Sequence, residues 1–221
     1  MNTKNRIIEA SIQLFNRYGV EQVSIRQIAS EIQISHSNLS YHYKSKSDIL
    51  HQIYSRMDEE MSDAVFPSKD LTLIHYHQLL KKISAFQKKY QFFYMDLLAV
   101  ARAFPEIIKR YRITVKKRSE DYRSLIQHFI EKKLIKPEEE NGFYTSLFHA
   151  IWVMSTFWLQ QEKVLGASHP LIKSGSDIKH VWEIMLPHLT PKGLKEYQSF
   201  IDSDTPKARP IQNKYLKQLN S

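Results

Sequence analysis

Residues 24–46, SIRQIASEIQISHSNLSYHYKSK, decide the fold. Ser24 is placed to cap a helix, because a serine hydroxyl accepts from a free backbone N–H of the first turn. Gln27, three residues on, can reach back to complete a capping box, and Val23 with Ile28 supplies the flanking hydrophobic staple. Ile25, Ile28, Ala29 and Ile32 recur at helical spacing, so one face of this short helix is built for burial. Ser35 repeats the cap, Ile34 with Leu39 repeats the staple, and only Gln33 and Ile34 separate the two helices. That leaves room for a sharp turn and nothing more. Two short helices on a tight turn make a helix-turn-helix, whose second helix can enter the major groove of DNA.

The second helix supports this in its composition. His36, Ser37, Asn38, Ser40, Tyr41 and His42 all form hydrogen bonds, while Leu39 and Tyr43 are the positions expected to face the core. A merely solvated helix would carry Glu, Lys and Gln, the better helix formers. This one has no acid, as suits a surface that approaches phosphates and base edges. Lys44 and Lys46 follow at once, where Ser45 and Asp48 can cap the next helix.

Residues 1 to about 56 resemble the N-terminal domain of TetR/AcrR-type bacterial transcriptional regulators. The resemblance lies in RIIEASIQLFNRYG, in SIRQIA and in ISHSNLSYHYKSKSDIL, where LSYHYKSK is close to the family's aromatic-rich signature. Gln33 stands where that family often has Gly in the turn, Ser37 where Gly or Pro is frequent, and Ser40 where the first Tyr is frequent. The resemblance implies a homodimeric DNA-binding regulator, a repressor, modulated by a small-molecule effector in the second domain, with the last long helices making the dimer. By motif position it places Arg26, His36, Ser37, Asn38, Tyr41 and His42 against bases or phosphates, and Lys46 against a phosphate. Ser24 and Ser35, at the helix starts, join the DNA-facing set, since a helix N-terminus favours an anion. Asn38 can pair with adenine and Arg26 with guanine, each through two hydrogen bonds. The target is double-stranded DNA with a near-palindromic operator, its half-sites about 34–36 Å apart.

The rest of the chain fits an all-α protein. With 221 residues, 42% of them apolar and 12% aromatic, there is ample material for a core. Cysteine is absent, which excludes disulfides and Cys-based metal sites. The N-terminus shows no apolar signal-peptide core, and the longest apolar run, Leu147 to Leu159, is too short and too polar to span a bilayer. The expected location is the cytoplasm, with no membrane partner. The formal charge of +9 is unevenly spread: residues 1–56 hold seven Lys/Arg against four Asp/Glu, whereas residues 81–133 hold fourteen against five. The DNA argument therefore rests on the motif and not on net charge.

Periodicity predicts helices over 4–18, 46–65, 71–89, 92–103, 105–133, 138–165, 176–188 and 191–201, with a break at Phe66-Pro67-Ser68. The expected domains are a three-helix helix-turn-helix domain over 1–47, a helical bundle for effector binding and dimerisation over 48–202, and a tail over 203–221. Tyr90, Phe93, Tyr94, Phe104, Tyr111 and Phe129 form an aromatic set that could line an effector pocket, although such a stripe also serves as plain core. The helix after Glu138 is apolar around most of its girth and needs partners on more than one face. Phe148, Ile151, Trp152, Phe157 and Trp158, with Val181, Trp182 and Met185 on the next long helix, could make a four-helix contact across a two-fold axis.

No G-x-S-x-G, P-loop or dinucleotide-binding glycine pattern occurs, so an enzyme is not expected. Nor is a metal or other cofactor, because His75 and His77 are two apart and would not share a helix face. The competing interpretation is a helical ligand-binding protein or enzyme whose first domain is only structural.

Overall fold

The computed structural model describes residues 2–62, 71–166, 168–170, 172 and 176–204. Among them are eleven α-helices and one 3-10 turn, and no strand beyond an isolated bridge between Ile135 and Leu189. The all-α expectation holds. The helices are α1 (Thr3–Tyr18), α2 (Ile25–Glu31), α3 (His36–His42), α4 (Lys46–Ser62), α5 (Leu73–Lys89) and α6 (Gln91–Met95). They continue as α7 (Leu97–Ala103), α8 (Pro105–Glu131), α9 (Phe143–Leu165), α10 (Ser176–Met185) and α11 (Pro191–Asp204).

Three boundaries differ from the periodic pattern, each for a local reason. The helix expected over 92–103 breaks at Asp96, whose φ of −116° and ψ of 32° leave the helical region. The helix expected from Glu138 begins only at Phe143. The Glu138 carboxylate instead accepts from the N–H groups of Gly142 (3.1 Å) and Tyr144 (2.8 Å), so the acid caps the helix from outside. After Met185 the chain tightens into the 3-10 turn Leu186–His188, because Pro187 has no N–H to continue the α pattern. The expected break at 66–68 and the part of the expected tail beyond Asp204 lie outside the described residues, while α11 takes in the first two residues of that tail, Ser203 and Asp204.

The chain forms two compact units, each with its own core. The first joins the N-terminal helices through α4 to Ala85–Lys117 and Leu159–Val164. Phe15, Ile28, Leu39, Ile49, Ile53 and Tyr90 are buried at its centre. Polar contacts show why the packing boundary does not follow the motif boundary at 47. The Asn16 amide donates to the Lys89 carbonyl (2.8 Å), and its oxygen accepts from the Phe92 N–H (3.0 Å). Arg110 donates to Asp58 at 2.7 Å, and Glu60 accepts from both Lys89 (2.6 Å) and the Tyr90 hydroxyl (2.9 Å). Partial burial works against the Glu60 charge, yet these donors outweigh it and hold the carboxyl below its usual pKa.

The second unit comprises Arg118–Trp158 with the residues around α5's first half, α10 and α11. Its centre is Trp182, 1% exposed, whose indole N–H donates to His77 Nδ1 at 3.0 Å. Tyr76, Tyr197 and Phe200 surround that ring at centroid distances of 5.5, 4.8 and 5.7 Å. At Gly193 a Cβ would collide with the Leu134 carbonyl, so this approach of α11 requires glycine.

The helix-turn-helix turn itself carries a local cost. Gln33 sits at φ 57°, in the left-handed region that glycine occupies freely. Gln33→Gly should therefore stabilise the chain by roughly 0.5–1 kcal/mol, a gain readable in thermal or urea unfolding.

Candidate nucleic-acid interface

Both caps expected from the sequence are made. Ser24 Oγ accepts from Gln27 N–H at 3.2 Å, and the Gln27 amide oxygen accepts from Ser24 N–H at 2.7 Å. Ser35 Oγ accepts from Asn38 N–H at 3.1 Å. A second reciprocal box starts α4: Ser45 N–H donates to Asp48 (2.9 Å) and Asp48 N–H to Ser45 Oγ (3.1 Å). Arg6 braces the turn from α1 by donating to the Ile32 carbonyl at 2.8 Å. Nothing in the sequence signals that contact, which joins positions 26 apart.

These supports leave one face of α3 in solvent. Leu39 is fully buried and Tyr43 is 8% exposed, so the helix is anchored by the two positions expected to face the core. Burial pushes the Tyr43 phenol above its usual pKa, which keeps a neutral group beneath the surface. His36, Ser37, Asn38 and Tyr41 are exposed, as is Arg26 on α2, and His42 is half-buried. Tyr41 is 86% exposed, an unusual place for an aromatic ring, and stands edge-on to His42 with the ring centroids 5.2 Å apart. Large exposed side chains with donors and acceptors, and no acid on the helix, form a surface able to meet bases and phosphates.

Three of the expected contacts take a different local role. Lys46 is half-buried, and its ammonium donates to the carbonyls of Val20 (2.7 Å), Glu21 (3.3 Å) and Val23 (3.1 Å). It closes the loop between α1 and α2 instead of pointing outward. Lys44, exposed and without a partner among the described residues, is the cation that stands free beside α3. Ser24 and Ser35 are exposed, but their hydroxyl oxygens already serve as caps.

The other expected sites are only partly assembled. Tyr90 and Phe93 are buried in the first core, with Tyr94, Phe104 and Tyr111 packed partly buried against it. Phe129 is fully buried in the core of the second unit, so the aromatic set is not one lining. Of the expected dimer residues, Val181, Trp182 and Met185 are buried in this chain's own core. The outward side of α10 carries Lys179 and Glu183 as an ion pair. On α9, Ile151 is buried, Phe148, Trp152 and Trp158 are half-buried, and Phe157 is 43% exposed. Periodicity located these apolar faces but not the partners they cover.

Comparison with known proteins agrees with this geometry. Residues 7–53 match the family model described as bacterial regulatory proteins, tetR family, and residues 56–197 match the TetR model described as bacterial transcriptional repressor. A curated relative, "Probable HTH-type transcriptional regulator YttP" of Bacillus subtilis (strain 168), is 32% identical over 62 residues. That match spans 28% of this chain and 30% of the relative. Among solved structures, a TetR-family transcriptional regulator from Marinobacter aquaeolei VT8 superposes with a TM-score of 0.82 at 24% identity, over 93% of this chain and 100% of its own. A protein from Saccharomonospora viridis in complex with choline superposes with a TM-score of 0.66 at 16% identity, over 84% and 96%. The second model alone covers more than half of the residues, and with the capped helix pair at the N-terminus it shows that the chain belongs to the TetR family of bacterial regulatory proteins.

Proposed function

We propose that the protein is a homodimeric, sequence-specific DNA-binding repressor that a small-molecule effector releases from its operator. The observation that carries this reading is the exposed face of α3, free of acids and anchored from below by Leu39 and Tyr43. In this reading α3 of each protomer enters the major groove. His36, Ser37, Asn38 and Tyr41 meet base edges or phosphates, Arg26 reaches in from α2, and Lys44 faces the phosphate backbone. Asn38→Ala should relax preference at one base pair per half-site, a loss of about 1–3 kcal/mol of discrimination, measured by binding to operator variants. Unaltered selectivity would remove Asn38 as a reader.

The dimer is assigned to the outer stripe of α9. Ser146, Ala150, Val153 and Phe157 recur at helical spacing and are exposed, Val153 by 41% and Phe157 by 43%. Small residues beside larger apolar ones let two helices approach and interlock. Phe157→Glu should yield monomers on a sizing column with the helical content kept, because the side chain lies outside the protomer's core. A stable dimer would place the interface elsewhere.

The effector is the least specified part. The choline-bound relative supports a small-molecule site in a protein of this fold. Tyr94, Phe104 and Tyr111, partly buried, remain candidates to line it. A coupling of about 1–3 kcal/mol between effector and DNA sites is typical and would suffice for release. A thermal-shift screen of small organic molecules, followed by a mobility shift on operator DNA, tests it: a hit that stabilises the protein must also weaken the DNA complex.

A further inference from the structure

Five polar side chains are buried among the described residues: Ser11, His77, Ser84, Gln87 and Thr156. Two of them are satisfied. The Ser11 hydroxyl donates to the Ile7 carbonyl at 2.7 Å, and His77 Nδ1 accepts from Trp182. Ser84 and Gln87, each 9% exposed, and Thr156, 5% exposed, have no hydrogen-bond partner among the described residues. A buried hydroxyl or amide without a partner is costly and uncommon in a native fold, so each asks for an explanation. None of the three is sealed: no side-chain oxygen or nitrogen among the described residues is both unpartnered and closed off from solvent. Their polar atoms therefore face space that a water-sized molecule can enter. Helix geometry joins two of them. Ser84 and Gln87 are three residues apart on α5, so they lie on one face with Cβ atoms about 5–6 Å apart. Leu80 and Tyr76, one and two turns earlier on that face, are buried apolar residues.

We infer that Ser84 and Gln87 form the polar wall of a binding site for an uncharged molecule that joins an apolar body to a carboxamide or lactam group. The Gln87 amide offers a carbonyl acceptor and an N–H donor side by side. A second carboxamide returns the same pair in reverse, so two hydrogen bonds form at once. The Ser84 hydroxyl, donor and acceptor both, adds a third contact from the same helix face. Charge is selected against. No Asp, Glu, Lys or Arg is buried among the described residues, so an ion brought to this face would lose its water with no counter-charge to replace it. The inference rests on the effector reading above and gives that effector a chemical class; binding itself is measured on the free chain.

Benzamide and benzoate, alike in shape and different in charge, are the probes, titrated into the full chain and followed through its backbone and side-chain amide signals. Benzamide should move the side-chain amide signal of Gln87 and the backbone signal of Ser84, and bind about tenfold tighter than benzoate. Gln87→Leu, close in volume, should lose that preference. By removing an unsatisfied amide it should also raise the melting midpoint of the free chain, by about 2–4 °C. An unchanged or lower midpoint would show the amide already satisfied, by protein or by an ordered water, and would overturn the inference. Equal affinity for the two probes, or shifts confined to residues away from α5, would do the same without bearing on the DNA interface. Benzamide bound at Gln87 with no change in DNA affinity would uphold the site and contradict the effector reading alone.

Discussion

Replacing Trp182 by alanine is expected to destabilise the second unit by about 3–5 kcal/mol, the largest effect of any single change considered. The ring is 1% exposed and touches three aromatic neighbours, so its removal leaves a cavity that rigid rings cannot collapse to fill. It also strips His77 Nδ1 of a buried donor, adding the cost of an unsatisfied polar atom. Trp182→Phe should fall between, since it keeps most of the volume and loses the N–H. The comparison with Phe157→Glu separates core from the proposed interface: the first change should lower the unfolding midpoint at any protein concentration, the second should change the oligomeric state. Urea unfolding beside a sizing column reads both. If Trp182→Ala gave a folded chain of undiminished stability, the burial of this ring in the chain's own core would be wrong.

Lys46→Met is expected to cost about 1.5–3 kcal/mol, because a charged donor is withdrawn from three loop carbonyls. The consequence for DNA binding distinguishes two roles. A lysine that clamps the loop positions α2 and α3, so its loss should weaken binding to every sequence while leaving the salt dependence unchanged. A lysine that neutralises a phosphate contributes about 0.9 to the slope of log K against log salt, and its loss flattens that slope. The geometry predicts the first behaviour for Lys46 and the second for the exposed Lys44. Affinity measured from low to moderate salt for both variants decides between them.

The parts of this protein fixed by local chemistry were legible in its sequence. Ser24, Gln27, Ser35, Ser45 and Asp48 make the capping bonds their spacing implied, because a cap involves residues three apart and little else. The burial of Leu39 and Tyr43 beneath an exposed polar face followed from helical periodicity in the same way. Contacts between distant segments were not legible. Lys46 lies 23 to 26 residues from the carbonyls it holds, and no pattern joins those positions. Trp182 and Phe157 both sit on apolar helices, yet one faces its own core and the other solvent, since periodicity marks a face without naming what covers it. Glu138 illustrates a smaller limit. An acid just before a helix favours the dipole whether it sits in the first turn or caps from outside, and the side chain took the second course.

The central claim, that α3 reads DNA as one half of a two-fold pair, is tested most directly by selecting binding sites for the full chain from a pool of random duplexes. Enrichment of near-palindromic sequences is predicted, with half-site centres one helical turn apart, about 34–36 Å, and a preference over random duplex of about a thousandfold or more. A pool that stays random, or that converges on single sites without two-fold symmetry, would contradict it.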